Sequence, residues 1–238
     1  MNTIKYNKAN VKTIAHRGVS GIECENTNAA FVAAGNRSYF GIETDIHVTK
    51  DGVFAVIHDD TTARVSDRDV NVEKKTYNEI SDIRLKTDDG YSRNDYLIPT
   101  LSEYIGICKR YEKTAVLELK NHFMPEDIKR AVKIIESMDY INNVIFISFD
   151  YDNMVELRRI LSNQKLQYLV TEYNEDVLEK LLKHKLDIDI FYKALNKDIV
   201  KILHANGIEI NCWTCDEKNS AEKIAEMGVD YITTNILE

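Results

Sequence analysis

The sequence predicts an α/β protein folded as a TIM-type (β/α)8 barrel, and three observations support this prediction. The chain has 238 residues, close to the roughly 250 residues that are typical of one such barrel. Eight short runs rich in β-branched and apolar residues recur along it. Amphipathic stretches with a helical period lie between most of these runs. Strands and helices that alternate in this way form a parallel sheet, and eight such units close it into a barrel.

The predicted elements follow one another along most of the chain, which favours a single domain spanning residues 1–238. The predicted strands cover residues 11–16, 41–48, 115–120, 143–149, 166–171, 187–191, 208–214 and 229–233. The predicted helices cover residues 27–37, 125–138, 151–161, 176–184, 197–206 and 217–227. Asn26 or Thr27 is a suitable N-cap for the first helix. Several of the other helical stretches are followed by Gly or Asn, which commonly end helices.

Residues 59–97 break the pattern. They are rich in Asp, Lys, Arg, Asn and Tyr, with only short apolar runs and no sustained helical period. We therefore expect a small inserted subdomain there. Residues 53–58 are interpreted as an extension of the second strand after a turn at Asp51 and Gly52, so the insertion follows that strand directly. Active sites of these barrels lie at the carboxyl ends of the strands, and the insertion is expected above that end.

Composition limits the partners and the compartment. The net charge of -8 argues against nucleic acid, because proteins that bind the phosphate backbone carry basic clusters and the lysines here are scattered among acids. Residues 1–18 contain no apolar region of signal-peptide length, and no later stretch is long enough and apolar enough to span a bilayer. We therefore expect a cytoplasmic protein without stable membrane association, and with its cysteines reduced.

Two histidines flank an acidic strand. His16 and His58 each end a strand-like run and each precede a charged residue, and the strand between them in sequence carries Glu43 and Asp45. Histidines carry protons near neutral pH, carboxylates hold divalent metals, and an arginine such as Arg17 binds phosphate. These residue types together are those that phosphate-ester hydrolysis requires. The pattern therefore predicts a phosphodiesterase.

Strand geometry groups the charged residues further. Residues two apart in a strand face the same side, so Glu43 and Asp45 point together, as do Glu118 and Lys120. On the inner face of a barrel, near its rim, the carboxylates of two neighbouring strands converge on one cation. The alternative is that these residues are solvent-facing charges at strand ends. Two carboxylates on one face with apolar neighbours favour the metal site over that alternative.

Several short motifs resemble those of the glycerophosphodiester phosphodiesterase family. They run in order from residue 14 to residue 235 and so cover nearly the whole chain. The motifs are AHRG, ENT, GIETDIHVTKDGVFAVIHD, IPTL, LELK, ISFD, NCWT and GVDYITTN.

The resemblance implies a TIM-barrel enzyme that hydrolyses glycerophosphodiesters to glycerol 3-phosphate and an alcohol, with Ca2+ or Mg2+ as the divalent cofactor. It also implies first-step attack by the 2-hydroxyl of the substrate's own glycerol, which gives a cyclic phosphate that water then opens. Trp213 is expected to line the mouth of the site and to pack against the glycerol carbons. The family's other site residues fall on the catalytic His16 and His58, the metal ligands Glu43, Asp45 and Glu118, and the phosphate-binding Arg17 and Lys120.

Two alternative functions stay open on the sequence. One is a related barrel phosphodiesterase that acts on lysophospholipids, and the other is a non-catalytic barrel that binds a phosphoglycerol compound. The first is expected to show exposed apolar loops, and the second to lack a histidine or a metal carboxylate. The sequence leaves open the alcohol leaving group, the preferred metal, the histidine that acts first as the acid, and whether the chain forms a homo-oligomer.

Overall fold

The computed structural model describes residues 2–238 and shows a closed barrel of parallel strands. The strands are β1 (Lys12–Ala15), β2 (Gly41–Val48), β3 (Phe54–Val56), β4 (Thr114–Leu119), β5 (Val144–Ser148), β6 (Lys165–Val170), β7 (Asp187–Phe191), β8 (Ile210–Trp213) and β9 (Tyr231–Thr234). All except β3 pair in parallel in chain order, and β9 pairs with β1 to close the ring. The prediction of a (β/α)8 barrel is confirmed.

The helices mostly begin at residues that cap their first turn. They are α1 (Asn28–Gly35), α2 (Tyr77–Ile80), α3 (Leu101–Arg110), α4 (Pro125–Ser137), α5 (Tyr151–Ile160), α6 (Glu175–His184), α7 (Lys197–Ala205) and α8 (Lys218–Met227). Side-chain oxygens accept backbone N–H groups of the first turn at Thr27, Thr100, Asp150, Asn174 and Asn196. Within residues 2–238, no helix combines the length and apolar character that crossing a lipid bilayer requires.

Helix α3 was not among the predicted helices. Its buried residues do recur at helical spacing, and they are Leu101, Tyr104, Ile105 and Cys108. The stretch also contains two isoleucines and Gly106, which have low intrinsic helix propensity, so the local preference is weak. The helix is stabilised by a capping box at Thr100 and by burial against the barrel.

Strand β3 corrects the interpretation of residues 53–58 as an extension of the second strand. It runs antiparallel to β2, with Ala55 opposite His47. The chain reverses between Thr49 and Gly52, where Gly52 adopts a φ of 80° and its N–H donates to the Thr49 carbonyl at 2.8 Å. The reversal directs the chain to His58 beside the carboxyl end of β2.

Residues 59–97 form an irregular segment with its own apolar cluster. It contains a 3-10 turn at Val72–Lys74 and the single-turn helix α2. Ten buried residues make up a cluster separate from the main core, and they are Cys24, Ala55, Ile57, Val65, Val72, Ile80, Ile83, Leu85, Tyr96 and Ile98. Because four of these residues lie outside residues 59–97, the segment packs against the rest of the chain through apolar contacts.

The strands bury both of their faces. In β7, Ile188 and Ile190 belong to the core between the strands and the helices. The alternate residue Asp189 therefore faces the interior of the barrel. The apolar residues of that interior form a smaller cluster, to which Val116, Ile145, Ile147 and Leu169 contribute.

One buried hydroxyl links α3 to the barrel and gives a test of that packing. The hydroxyl of the buried Tyr104 donates to the carbonyl of Ile42 in β2 at 2.7 Å. We expect Tyr104→Phe to lower the free energy of unfolding by about 1–2 kcal/mol, measured by urea denaturation. Tyr111→Phe is the control, since that hydroxyl bonds no group within residues 2–238, and it is expected to change stability by less than about 0.5 kcal/mol. Equal stability of the two variants would contradict this account.

Candidate active site

The structure brings all the predicted site residues to one end of the barrel. Those of β1, β4 and β8 lie at the carboxyl end of the strand or directly after it, and His58 lies just after β3. Glu43 and Asp45 lie within β2, where Asp45 is level with Glu118 near the end of β4. An open cavity there is lined by most of them, namely His16, Arg17, Glu43, His58, Glu118, Lys120 and Trp213. Asp45 lies beside the cavity, within contact distance of Arg17 and Lys120.

Three buried carboxylates form the acidic part of the site. Glu43, Asp45 and Glu118 are 2%, 1% and 6% exposed, and one oxygen of each lies within 4.8 Å of the others. Strand register explains this convergence. Asp45 in β2 is directly opposite Glu118 in β4, and Glu43 lies two residues before Asp45 on the same face. A set of carboxylate oxygens suits a hard divalent cation such as Ca2+ or Mg2+.

The crowding of these carboxylates shifts their proton affinities. Burial, and then the charge of Asp45, raise the pKa of Glu43 well above its ordinary value and the pKa of Glu118 to about 8. Burial also acts on Asp45, but the combined charges of Arg17 and Lys120 outweigh it and hold the pKa of Asp45 below its ordinary value. Asp45 Oδ1 accepts no hydrogen bond from residues 2–238. Buried carboxylates that repel one another and keep a free oxygen are well suited to a metal ion.

Two cations lie against the carboxylates. Lys120 Nζ is 2.9 Å from Glu118 Oε1 and 3.4 Å from Asp45 Oδ1. Arg17 Nε is 3.6 Å from Asp45 Oδ2. The backbone of Arg17 has a φ of 53°, in the left-handed region, and its N–H donates to Glu43 Oε2 at 2.7 Å. Both cations also face the cavity, where an anionic ligand is within their reach.

A network of hydrogen bonds fixes the tautomer of His16. Asn235 Nδ2 donates to the Asp216 carboxylate at 2.6 Å, so Asn235 Oδ1 is the atom that faces His16 Nδ1 at 2.7 Å. Ser20 donates to the same oxygen. Nδ1 therefore carries the proton, and Nε2 is the free acceptor. Burial, and then the charge of Arg17, lower the pKa of His16 to about 4, which keeps the ring neutral.

His58 has a carboxylate partner instead of an amide. Its Nδ1 lies 2.5 Å from Asp59 Oδ1, and since a carboxylate only accepts, Nδ1 is again the donor. Arg64 of the inserted segment bonds both Asp59 and Glu25, which holds Asp59 in place. Beneath the site, the buried His47 contacts the backbone carbonyl of His58 at 3.2 Å. Burial lowers the pKa of His58 below its ordinary value, while the nearby carboxylates oppose that effect.

The opposite wall of the cavity is mostly apolar. Trp213 packs edge-on against Phe149, with ring centroids 5.5 Å apart, and its indole N–H donates to the backbone carbonyl of Asp189 at 3.3 Å. Ile147 and Leu169 complete this wall. Such a surface accommodates carbon atoms of a ligand, while the opposite side of the cavity carries the charges. Trp213 thus lies where it was predicted, at the end of its strand and facing the mouth.

Asn26 is a site residue that the sequence analysis interpreted only as a helix cap. The cap of α1 is Thr27, whose oxygen accepts from Ala30 N. Asn26 instead donates to Asp45 Oδ2 at 2.8 Å and accepts from Thr44 Oγ1 at 2.7 Å, in a left-handed backbone conformation with a φ of 54°. The only sign of this role in the sequence was the motif ENT.

The site residues lie inside a region that matches a family model. The model for the glycerophosphoryl diester phosphodiesterase family matches residues 16–238. The chain belongs to this family. The family predicted from the sequence motifs is therefore confirmed, together with the prediction of an enzyme of this class.

Relatives of this chain come from a bacterium and a mammal. The chain is 29% identical over 228 residues to the glycerophosphodiester phosphodiesterase of Caldanaerobacter subterraneus subsp. tengcongensis, with 93% of each chain covered. It is 28% identical over 268 residues to glycerophosphodiester phosphodiesterase 1 of Mus musculus, covering 96% of this chain and 79% of that one.

Solved structures share the whole fold. A phosphodiesterase from Oleispira antarctica, solved in complex with the product sn-glycerol-3-phosphate, superposes with a TM-score of 0.86 at 26% identity, over 94% of this chain and 92% of that one. A glycerophosphodiester phosphodiesterase from Parabacteroides distasonis gives a TM-score of 0.81 at 28% identity, over 96% and 94%. The likeness therefore extends over the barrel and the inserted segment together.

Proposed function

We propose that this protein hydrolyses glycerophosphodiesters to glycerol 3-phosphate and an alcohol, in a metal-dependent reaction that uses two histidines. One observation carries the proposal: three buried carboxylates, two cations and two histidines with free Nε2 atoms meet at a single cavity. Membership of the family supports it. A structural neighbour that binds sn-glycerol-3-phosphate as its product supports the glycerol half of the substrate.

Glu43, Asp45 and Glu118 are the residues that would hold the divalent metal. When all groups are ionised, these three carboxylates face only Arg17 and Lys120, which leaves one negative charge in excess. A divalent cation reverses that sign and so makes the site attractive to a phosphodiester anion. When bound, the cation supplies stabilisation of negative charge on the phosphate oxygens. The all-oxygen donor set favours Ca2+ or Mg2+ over metals that prefer thiolates.

Arg17 and Lys120 bind the phosphate from the protein side. Both side chains are held by buried carboxylates and both line the cavity. Cations that are already oriented stabilise charge in the transition state without having to reorganise. The carbons of the glycerol pack on the opposite wall, against Trp213. The phosphorus atom is thereby placed between the charged side and the two histidines.

The two histidines differ in their partners, and this difference assigns their first roles. His16 is buried beside Arg17 and has a neutral amide on Nδ1, so its Nε2 acts as the base. His58 has the Asp59 carboxylate on Nδ1, which stabilises the imidazolium form that an acid must have. Burial lowers the pKa of both histidines, and the carboxylates of Asp45 and Asp59 oppose that effect at His58, which supports His58 as the acid and His16 as the base.

The reaction then runs in two balanced steps. In the first, His16 takes the proton of the glycerol 2-hydroxyl as its oxygen attacks phosphorus. The bond from phosphorus to the alcohol breaks, His58 donates a proton to the departing oxygen, and a cyclic phosphate remains. In the second step, His58 takes a proton from water as the water oxygen attacks phosphorus. The bond from phosphorus to the 2-oxygen breaks and His16 returns its proton to that oxygen, which gives glycerol 3-phosphate and restores both histidines.

A substrate panel tests the proposed function directly. The purified protein is incubated with Ca2+ or Mg2+ and with glycerophosphocholine, glycerophosphoethanolamine, glycerophosphoinositol, glycerophosphoglycerol or lysophosphatidylcholine. Glycerol 3-phosphate is expected from at least one of the first four compounds. Faster release of choline from lysophosphatidylcholine would overturn the proposed substrate class. Binding without turnover of any compound would indicate a non-catalytic barrel.

Removing either His16 or His58 is expected to slow the reaction strongly. His16→Ala and His58→Ala are each expected to lower kcat by about 10²- to 10⁴-fold, because each removes a proton transfer in the transition state. The double variant should be little slower than the slower single variant, since the two groups act as a unit. His122→Ala is the control, as this exposed histidine contacts Asp150 outside the cavity. Small and additive losses would mean that His16 and His58 only position the substrate.

A further inference from the structure

Asp189 is a carboxyl group in the cavity for which the proposed reaction has no use. It lies in the middle of β7, it is 1% exposed, and it lines the same cavity as His16 and Lys120. Its Oδ1 atom accepts no hydrogen bond from any group in residues 2–238. A buried polar atom without a partner costs free energy, so its presence in a cavity indicates a partner supplied from outside the chain.

The neighbours of Asp189 leave that oxygen without a partner, although the Asn211 amide lies close enough to the carboxyl group to hydrogen-bond it. Leu169 and Asn211 lie opposite it on the adjacent strands. The Asn211 side chain donates to Gln167 Oε1 at 3.2 Å and accepts from Thr233 Oγ1 at 3.1 Å. The indole N–H of Trp213 is bonded to the backbone carbonyl of Asp189 and not to its side chain. Asp189 Oδ1 is thus an unpaired polar atom in the mostly apolar wall that Ile147, Leu169 and Trp213 form.

The shape of the proposed substrate matches this position. The glycerol part of a glycerophosphodiester carries two free hydroxyls, and the proposed reaction uses only the one next to the phosphate-bearing carbon. The terminal hydroxyl is left without a partner among the residues assigned so far. Trp213 and Asp189 line the same cavity, and the indole is bonded to the Asp189 backbone, so a glycerol that packs on Trp213 lies close to Asp189.

We propose that Asp189 binds the terminal hydroxyl of the substrate's glycerol and thereby selects glycerol over diols that lack this group. The inference rests on the proposed function and deepens it, because it concerns the same cavity. Either form of a carboxyl group pairs with a hydroxyl, which is both donor and acceptor. A site built around such a pair rejects an analogue without the hydroxyl, since the buried group is then left unpaired.

The test compares two substrates that differ in one hydroxyl. The first is glycerophosphocholine, and the second is the choline phosphodiester of propane-1,2-diol, which keeps the hydroxyl next to the phosphate-bearing carbon. The wild-type protein is expected to favour the first in kcat/KM by about 10- to 100-fold, mainly through KM. Asp189→Leu is expected to bring that ratio close to one, whereas Asp189→Asn is expected to keep most of the preference, because an amide still pairs with a hydroxyl. Asp187→Asn is the matched control and keeps the wild-type ratio, because Asp187 bonds Glu209 N at the other end of β7.

Thermal unfolding separates a binding role from a structural one. Because Asp189→Leu removes a buried oxygen without a partner, its Tm is expected to equal or exceed that of the wild type. An unchanged ratio in Asp189→Leu, or equal wild-type rates on the two substrates, would overturn the inference and leave the proposed function intact. A changed preference between choline and ethanolamine leaving groups, with the glycerol ratio unchanged, would overturn it as well. No turnover of glycerophosphodiesters by the wild type would instead remove the proposed function.

Discussion

Exhaustive removal of divalent metal is expected to abolish the hydrolysis of glycerophosphodiesters, and addition of Ca2+ or Mg2+ to restore it. Without a cation, the site lacks the charge that would stabilise the phosphate oxygens, and the buried Glu43 and Glu118, whose pKa values are raised, hold protons instead. The measurement is the initial rate after treatment with a chelator, followed by titration of each metal. The control is protein that goes through the same treatment with a chelator already saturated by Ca2+. Full activity in the depleted protein would show that the carboxylates have another purpose.

Asn26 allows the metal to be followed without any activity measurement. Its amide orients Asp45 through a bond of 2.8 Å, and partners of this kind typically change metal affinity by about 10- to 100-fold. We expect Asn26→Gly to weaken Ca2+ or Mg2+ binding to that extent in calorimetry, since glycine accepts the left-handed backbone at this position. Asn28→Gly is the control. The side chain of Asn28 donates to Glu103 and not to a metal carboxylate, so this variant should bind metal with normal affinity. Equal affinity of both variants would place the metal elsewhere.

Much of the barrel could be predicted because its elements have strong local patterns. The strands at residues 41–48 and 187–191 were predicted with the observed bounds, since apolar residues alternate with other residues along each of them. Helix α3 was missed because its local propensity is weak and its stability depends on burial against the barrel. The antiparallel direction of β3 depends on the turn at Gly52, where hydrophobic pattern alone does not distinguish a bent strand from a hairpin.

The part of the site that depends on local strand alternation could also be predicted from the sequence. Alternation along a strand places Glu43 beside Asp45, and this is a local property of the sequence. The partners that orient the site come from other parts of the chain, such as Asn235 on His16 and Asn26 on Asp45. Periodicity cannot show such contacts. Asp189 was overlooked because an Asp in an alternating strand gives no sign of whether it faces solvent or a cavity.

A substrate without the 2-hydroxyl is expected to bind and yet turn over very slowly. The phosphate contacts of Arg17 and Lys120 and the metal site do not involve this hydroxyl in the proposed reaction, so the affinity should be nearly that of the parent. The attacking group, however, is lost. Effective molarities of well-oriented intramolecular groups reach about 10⁵ M or more, so we expect kcat to fall by at least about 10³-fold.

The measurement compares the 2-deoxy analogue of glycerophosphocholine with the parent compound. Its inhibition constant against the parent reports binding, and its own kcat reports the chemical step. Quenching the parent reaction early should reveal a cyclic phosphate, which the analogue cannot form. Equal rates with no cyclic species would mean that water attacks the diester directly. In that case His16, with its free Nε2 and its proton held on Nδ1 by Asn235, would take the proton of that water instead.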